Sequence, residues 1–177
     1  FSWVQETARH VGTVVHRMLE HWDEARPATP AGIDAQQPLI GALLARLGVP
    51  VAQRAAATAT VLEALQRTWE DPRGRWLFDP GHRDAATELA LSGLVDGRLV
   101  SAVIDRSFVD ADGTRWVIDY KTSRHEGGDV EAFLAQELER YRPQLSRYAT
   151  LARALGREPV RAALYFPLLG AFRAYDQ

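Results

Sequence analysis

Asp105, Asp119 and Lys121 are the residues whose types and spacing could carry chemistry. Lys121 is the only lysine in the chain; every other one of its twenty-one basic residues is arginine. A biased genome explains the arginines but not where the exception falls. It ends the apolar run Trp116-Val117-Ile118-Asp119-Tyr120-Lys121. Lysine is a compact point charge whose pKa moves on burial, whereas arginine stays protonated. A position that keeps lysine in an arginine-rich chain is a candidate for chemistry that arginine cannot do.

Strand residues alternate faces, so Asp119 and Lys121 share one face, with Trp116, Ile118 and Tyr120 on the other. Folding a hairpin about Asp112 sets Asp105 opposite Asp119. Opposed side chains in such a pair have Cβ atoms roughly 5 Å apart, and two like charges there destabilise the pair. Three resolutions are open. One carboxylate takes a proton, a cation bridges both, or the register is shifted by one residue. Two carboxylates with water make a hard oxygen site suited to Mg²⁺ or Mn²⁺. Lys121 beside that metal would position a water or stabilise charge on a phosphate. The plainer reading pairs Asp105 with Arg106 or Arg124 and leaves Lys121 as a solvated strand end.

Two further constellations stand out. His16 lies beside the apolar stripe of a predicted helix, four residues after Gly12. A mid-helix glycine costs about 1 kcal/mol relative to alanine, so something is expected to approach closely there. Gln144 and Tyr148, spaced i, i+4, share a helix face. Arg140, Arg142, Arg147, Arg153 and Arg157 surround them. Such groups donate to phosphate oxygens, and arginines supply the electrostatic attraction for nucleic acid. Taken alone, each of these also reads as ordinary helix surface. His10, His21, His82 and His125 read as surface residues.

The elements that must position these groups follow from periodicity. Val4, Ala8, Val11, Val15, Met18 and Trp22 fall on one face of a helix over 3–24. The Pro/Ala/Gly-rich stretch from Ala25 to Gly32 reads as a loop. Leu39–Leu47 and Ala52–Trp69 read as helices, the second broken by Asp71-Pro72-Arg73-Gly74. Strands are predicted at Thr87–Leu94, Leu99–Val109 and Thr114–Lys121, with Asp96-Gly97 as a hairpin turn. A helix over Val130–Arg140, a second opening at Pro143 and running to about Leu155, and a final strand Val160–Phe166 complete the pattern. The expected class is α/β. A central mixed sheet contains an antiparallel meander, helices flank it, and the N-terminal part is helical.

The 177 residues fit one domain, 1–177, with a real core. A net charge of −2 excludes a general polycation but not a local basic groove. With no cysteine there is no disulfide framework and no cysteine-held zinc or iron–sulfur cluster. No apolar run reaches membrane-spanning length and no signal peptide is visible, so a cytoplasmic protein without membrane contact is expected. The chain opens on Phe1 and closes in an apolar aromatic stretch, and is expected to be excised from something longer.

Together these pieces resemble the RecB-like nuclease domain of the PD-(D/E)XK superfamily, as found at the C-terminus of AddA-type or UvrD-like helicase–nucleases. Gly12-Thr13-Val14-Val15-His16-Arg17-Met18-Leu19-Glu20 is similar to the family's Gly-Thr-x-x-His-x-x-Leu-Glu helix. Val103-Ile104-Asp105 resembles its strand aspartate, Asp119-Tyr120-Lys121-Thr122 its Asp-Tyr-Lys-Thr signature, and Gln144 to Tyr148 its Gln-x-x-x-Tyr helix. The resemblance implies that His16, Asp105, Asp119 and the Tyr120 carbonyl ligate Mg²⁺ or Mn²⁺. It implies that Asp105, Asp119 and Lys121 are catalytic, and that Gln144 and Tyr148 support the site and contact DNA. Glu88 is a further acid of the region with no assigned role. The glycine that often precedes the strand aspartate is replaced here, where Ala102 and Val103 stand.

The implied activity is a metal-dependent deoxyribonuclease, an exonuclease domain acting in double-strand break repair or recombination. The implied partners are DNA, a helicase motor in the same parent chain and a second nuclease or helicase subunit. No Walker A motif occurs, so any motor lies elsewhere. Two alternatives remain: a non-catalytic DNA-binding or scaffold module of the same fold, and a stand-alone PD-(D/E)XK repair nuclease.

Overall fold

A computed structural model describes residues 2–22 and 29–176. These fall into two units, residues 1–78 with 167–170 and residues 79–166 with 171–177.

The first unit is helical. α1 (Ser2–Glu20) buries Val11, Val14, Val15, Met18 and Leu19, the three-and-four spacing of a single face. The predicted stripe holds only in the second half of the helix, because Val4 is 72% exposed and Ala8 is exposed as well. The helix also ends at Glu20 rather than residue 24, and residues 23 and 24 lie outside the described residues.

The predicted loop from Ala25 to Gly32 is partly outside the described residues, and its end is corrected. α2 (Pro30–Asp34) starts there, with Gly32 N donating to Thr29 Oγ1 at 3.0 Å and proline at the first helical position. α3 (Gln37–Arg46) and α4 (Val51–Glu70) match the two predicted helices to within two residues. The predicted break after α4 holds, and it is also a fresh start. Asp71 accepts from Arg73 N and Gly74 N, and caps α5 (Pro72–Leu77).

The second unit holds a five-stranded mixed sheet in the order β1-β2-β3-β4-β5. β1 (Arg83–Val95) and β2 (Arg98–Val109) form a hairpin through Asp96 and Gly97, both at positive φ, 51° and 76°. That pair of left-handed residues matches the right-handed twist of the strands it joins. β3 (Arg115–Tyr120) is buried along its whole length. α6 (Val130–Ala152) carries the chain to β4 (Val160–Phe166), which pairs parallel to β3. β5 (Ala171–Tyr175) then adds antiparallel to β4, so Val160–Phe166 is not the final strand as predicted.

The two helices predicted on either side of Pro143 are one. α6 runs through Pro143, which removes one backbone donor from the helix interior. Proline is tolerated there on an exposed position, between buried positions that pack the rest of the helix.

Candidate active site

The β2–β3 register is the one the turn predicts: Arg106 pairs with Ile118, Ser107 with Val117, Phe108 with Trp116 and Val109 with Arg115. Asp110 holds this turn. It accepts from Asp112 N at 2.9 Å, Thr114 N at 3.0 Å and Trp116 Nε1 at 2.8 Å. Burial opposes ionisation of Asp110, but the hydrogen bonds from Trp116, Thr114 and Asp112 outweigh it and hold the carboxyl below its ordinary range.

One rung beyond Arg106, the Asp105 carboxylate reaches across the ladder and accepts from Tyr120 N at 2.8 Å. The Tyr120 peptide thus joins the two candidate acids, Asp105 through its N–H and Asp119 through its own chain. Lys121 N continues the parallel ladder by donating to Tyr165 O at 2.8 Å. The strand end that presents Asp119 and Lys121 is therefore anchored on both sides, by β2 and by β4.

Asp119 and Lys121 do share a face. Lys121 Nζ lies 2.8 Å from Asp119 Oδ2, and the two side chains are only 17% and 7% exposed. The ammonium also donates to Gln144 Oε1 at 3.3 Å and lies 3.7 Å from the centre of the Tyr141 ring. The reading of Lys121 as a solvated strand end is thereby overturned. Lysine has only donors, so the Gln144 amide must turn its oxygen toward Nζ. Its nitrogen then donates to the Tyr148 hydroxyl at 2.8 Å. Gln144 transmits the position of Lys121 to Tyr148.

Tyr148 reports on both carboxylates. Its pKa is raised above the ordinary 10.0, first by burial and then by the negative charges of Asp119 and Asp105, with the Gln144 hydrogen bond acting in the opposite sense. The phenol therefore keeps its proton as a donor throughout the neutral range, beside two carboxylates.

The sequence pattern does not single out Tyr141. Tyr141, Gln144 and Tyr148 are spaced i, i+3, i+7 and share a helix face, but only if the helix continues through Pro143. The predicted break there hid the signal. Glu137, one turn before Tyr141, is likewise buried at 9% exposure. The expected arginine surround is partly spent within the chain. Arg142 forks onto Glu139 at 2.8 to 3.1 Å, and Arg140 lies 3.8 Å from Glu137.

His16 belongs to the other unit and is placed by its own helix. Its Nδ1 lies 2.9 Å from Gly12 O. A carbonyl only accepts, so Nδ1 carries a proton, and the neutral tautomer compatible with this bond has its lone pair on Nε2, the form a metal ligand needs.

A divalent cation fits the donors of the sheet unit by chemical type. Asp105 and Asp119 offer hard oxygen ligands, and both act electrostatically on one phenol. Among the described residues no group of three or more His, Asp and Glu stands so as to hold a metal ion. Magnesium commonly takes one or two carboxylates and completes its shell with water and substrate phosphate, so the pair suffices for that mode.

A five-stranded mixed sheet whose buried central strand ends in acid-X-lysine, with a second acid on its antiparallel neighbour, is the framework of a nuclease-type phosphodiesterase. The model of the PD-(D/E)XK nuclease superfamily matches residues 4–173. The chain belongs to that superfamily. None of the curated proteins matches it in sequence. Among solved structures it is similar to protein VC1899 from Vibrio cholerae, at 16% identity and a TM-score of 0.31. That alignment covers 89% of this chain and 46% of the other, so the chain spans under half the length of that protein. No helix of the described residues is long and apolar enough to cross a membrane.

Proposed function

We propose that this chain is a metal-dependent deoxyribonuclease that hydrolyses phosphodiester bonds at Asp105, Asp119 and Lys121. The observation that carries the reading is the placement of Lys121. Its ammonium is fixed at once by Asp119, Gln144 and Tyr141. Mg²⁺ or Mn²⁺, when bound, would polarise the scissile phosphate and lower the pKa of a bound water.

Asp105 and Asp119 would hold the cation, with the Tyr120 carbonyl and His16 as further ligands. Lys121 would orient the attacking water or stabilise charge on the phosphate. Gln144 would hold Lys121, and Tyr148 would donate its phenolic hydrogen to a phosphate oxygen.

The motif resemblance supports a place in a helicase–nuclease of double-strand break repair, with exonuclease action and a motor elsewhere in the parent protein or a partner subunit. The net charge of −2 agrees with this, because weak electrostatic attraction leaves delivery of the strand to a motor. Tight binding of DNA by the chain alone at physiological salt would remove that argument.

The second reading is a DNA-binding module that keeps the fold without catalysis. Cleavage of end-labelled single-stranded DNA with Mg²⁺ or Mn²⁺ separates the two. Metal-dependent cleavage lost in Lys121→Ala is the expected result. Equal cleavage by both proteins would place the activity outside this site. No cleavage by either, with no metal bound in a calorimetric titration, would favour the second reading.

A further inference from the structure

In the helical unit, α1 and α3 enclose a groove of about 270 Å³ lined by Thr13, Val14, Arg17, Leu43, Arg46 and Leu47. Its lining holds two guanidinium groups and no carboxylate. The other described arginines of this unit are engaged. Arg9 lies 3.7 Å from Glu6 and Arg67 3.0 Å from Glu63. Arg54 donates to Val49 O at 2.8 Å, while Arg73 and Arg75 lie over the rings of Trp76 and Trp69 at 4.7 and 5.8 Å. Arg17 and Arg46 have no such partner among the described residues, and both are exposed on the same groove.

Two like charges set toward one cleft repel until an anion enters. Val14, Leu43 and Leu47 give the cleft an apolar floor, and hydrogen bonds between a guanidinium and a phosphate are strengthened where water is excluded. The groove is smaller than the usual small-molecule pocket of about 300–1,000 Å³. That favours one group of a longer ligand over a whole metabolite.

We propose that Arg17 and Arg46 form an anchor for a backbone phosphate of the nucleic-acid strand, with the apolar floor taking the sugar beside it. This rests on the nuclease reading. It also supplies a local positive site in a chain whose near-neutral net charge gives DNA little general attraction.

The test is binding of a fluorescent single-stranded DNA oligonucleotide across a salt series. It compares the whole wild-type chain with Arg17→Gln/Arg46→Gln, with the charge-preserving Arg17→Lys/Arg46→Lys, and with Arg9→Gln/Arg67→Gln as a matched loss of charge outside the groove. Loss of two phosphate contacts should make the plot of log affinity against log salt shallower by about 1.4, at about 0.7 per contact on a single strand. The lysine pair should keep the wild-type slope, and the Arg9/Arg67 pair should leave it unchanged. Steady-state cleavage by the groove variant should show a raised KM with kcat kept.

Unchanged affinity and slope in Arg17→Gln/Arg46→Gln, or an equal loss in Arg9→Gln/Arg67→Gln, would overturn the anchor while leaving the nuclease reading intact. A wild-type chain that neither cleaves nor binds DNA would remove both. Matching melting temperatures among the variants exclude misfolding as the cause of any difference.

Discussion

Lys121 and His16 are both singled out by the motifs, yet the molecule positions them in opposite ways. His16 is aligned by Gly12, four residues away on its own helix. Lys121 is aligned by Gln144 and Tyr141, from a helix that begins after an intervening loop, and its strand end is held by β2 and β4. The contact from Nδ1 to Gly12 is local and is supplied by the helix itself. The ammonium site is a tertiary property that exists only when sheet and α6 are packed. Damage to the packing should therefore fall on Lys121 long before it reaches the orientation of His16.

The largest expected effect is that of Lys121→Ala. Loss of an electrostatic donor of this kind lowers kcat by about 10²–10³-fold, read by single-turnover cleavage at saturating metal. His16→Ala should come next. If Nε2 is a ligand, the cleavage rate should fall by about tenfold to a hundredfold, and excess Mn²⁺ should restore much of it. Failure of metal to rescue any part of the loss would break the parallel between the two residues.

Gln144→Ala removes the link between Lys121 and Tyr148 without touching either acid. A supporting residue of this type is worth about tenfold to a hundredfold, and Gln144→Glu should not substitute, because a carboxylate has no hydrogen to give Tyr148. Equal rates for Gln144→Ala and wild type would show that Asp119 and Tyr141 suffice to place the lysine.

Asp110→Ala should act on stability and leave the metal dependence of cleavage unchanged. It strands the buried indole N–H of Trp116, at about 1–3 kcal/mol, read by chemical denaturation. The folded-state pKa of Asp110 lies below the ordinary 3.8. Its contribution is therefore full above that value and lost as pH falls through the folded-state pKa, so wild type and variant should converge in strong acid. A difference that persists undiminished there would assign the loss to packing instead.

Much of the fold is readable in the sequence because its signals are local. Asp96-Gly97 announces a tight hairpin turn, alternation marks the strands, and the acid-rich turn at Asp110–Gly113 sets a register the structure keeps. The misreadings also have local causes. Pro143 looks like the first turn of a new helix but lies inside α6, whereas Asp71-Pro72 ends α4 as read and, beyond that reading, caps and opens α5. The short strand Ala171–Tyr175 has little pattern of its own and exists by pairing with β4.

The sequence by itself determined which residues could do chemistry, that Asp119 and Lys121 share a face, and that Asp105 stands on the neighbouring strand. Residue type and a period of two are enough for that. Only the tertiary structure decided that Lys121 is held between Asp119, Gln144 and Tyr141, and that Tyr148 lies in the field of both acids. Apart from the Asp119–Lys121 pair, those contacts join residues twenty or more positions apart. Their geometry depends on how α6 packs on the sheet, which no local pattern encodes.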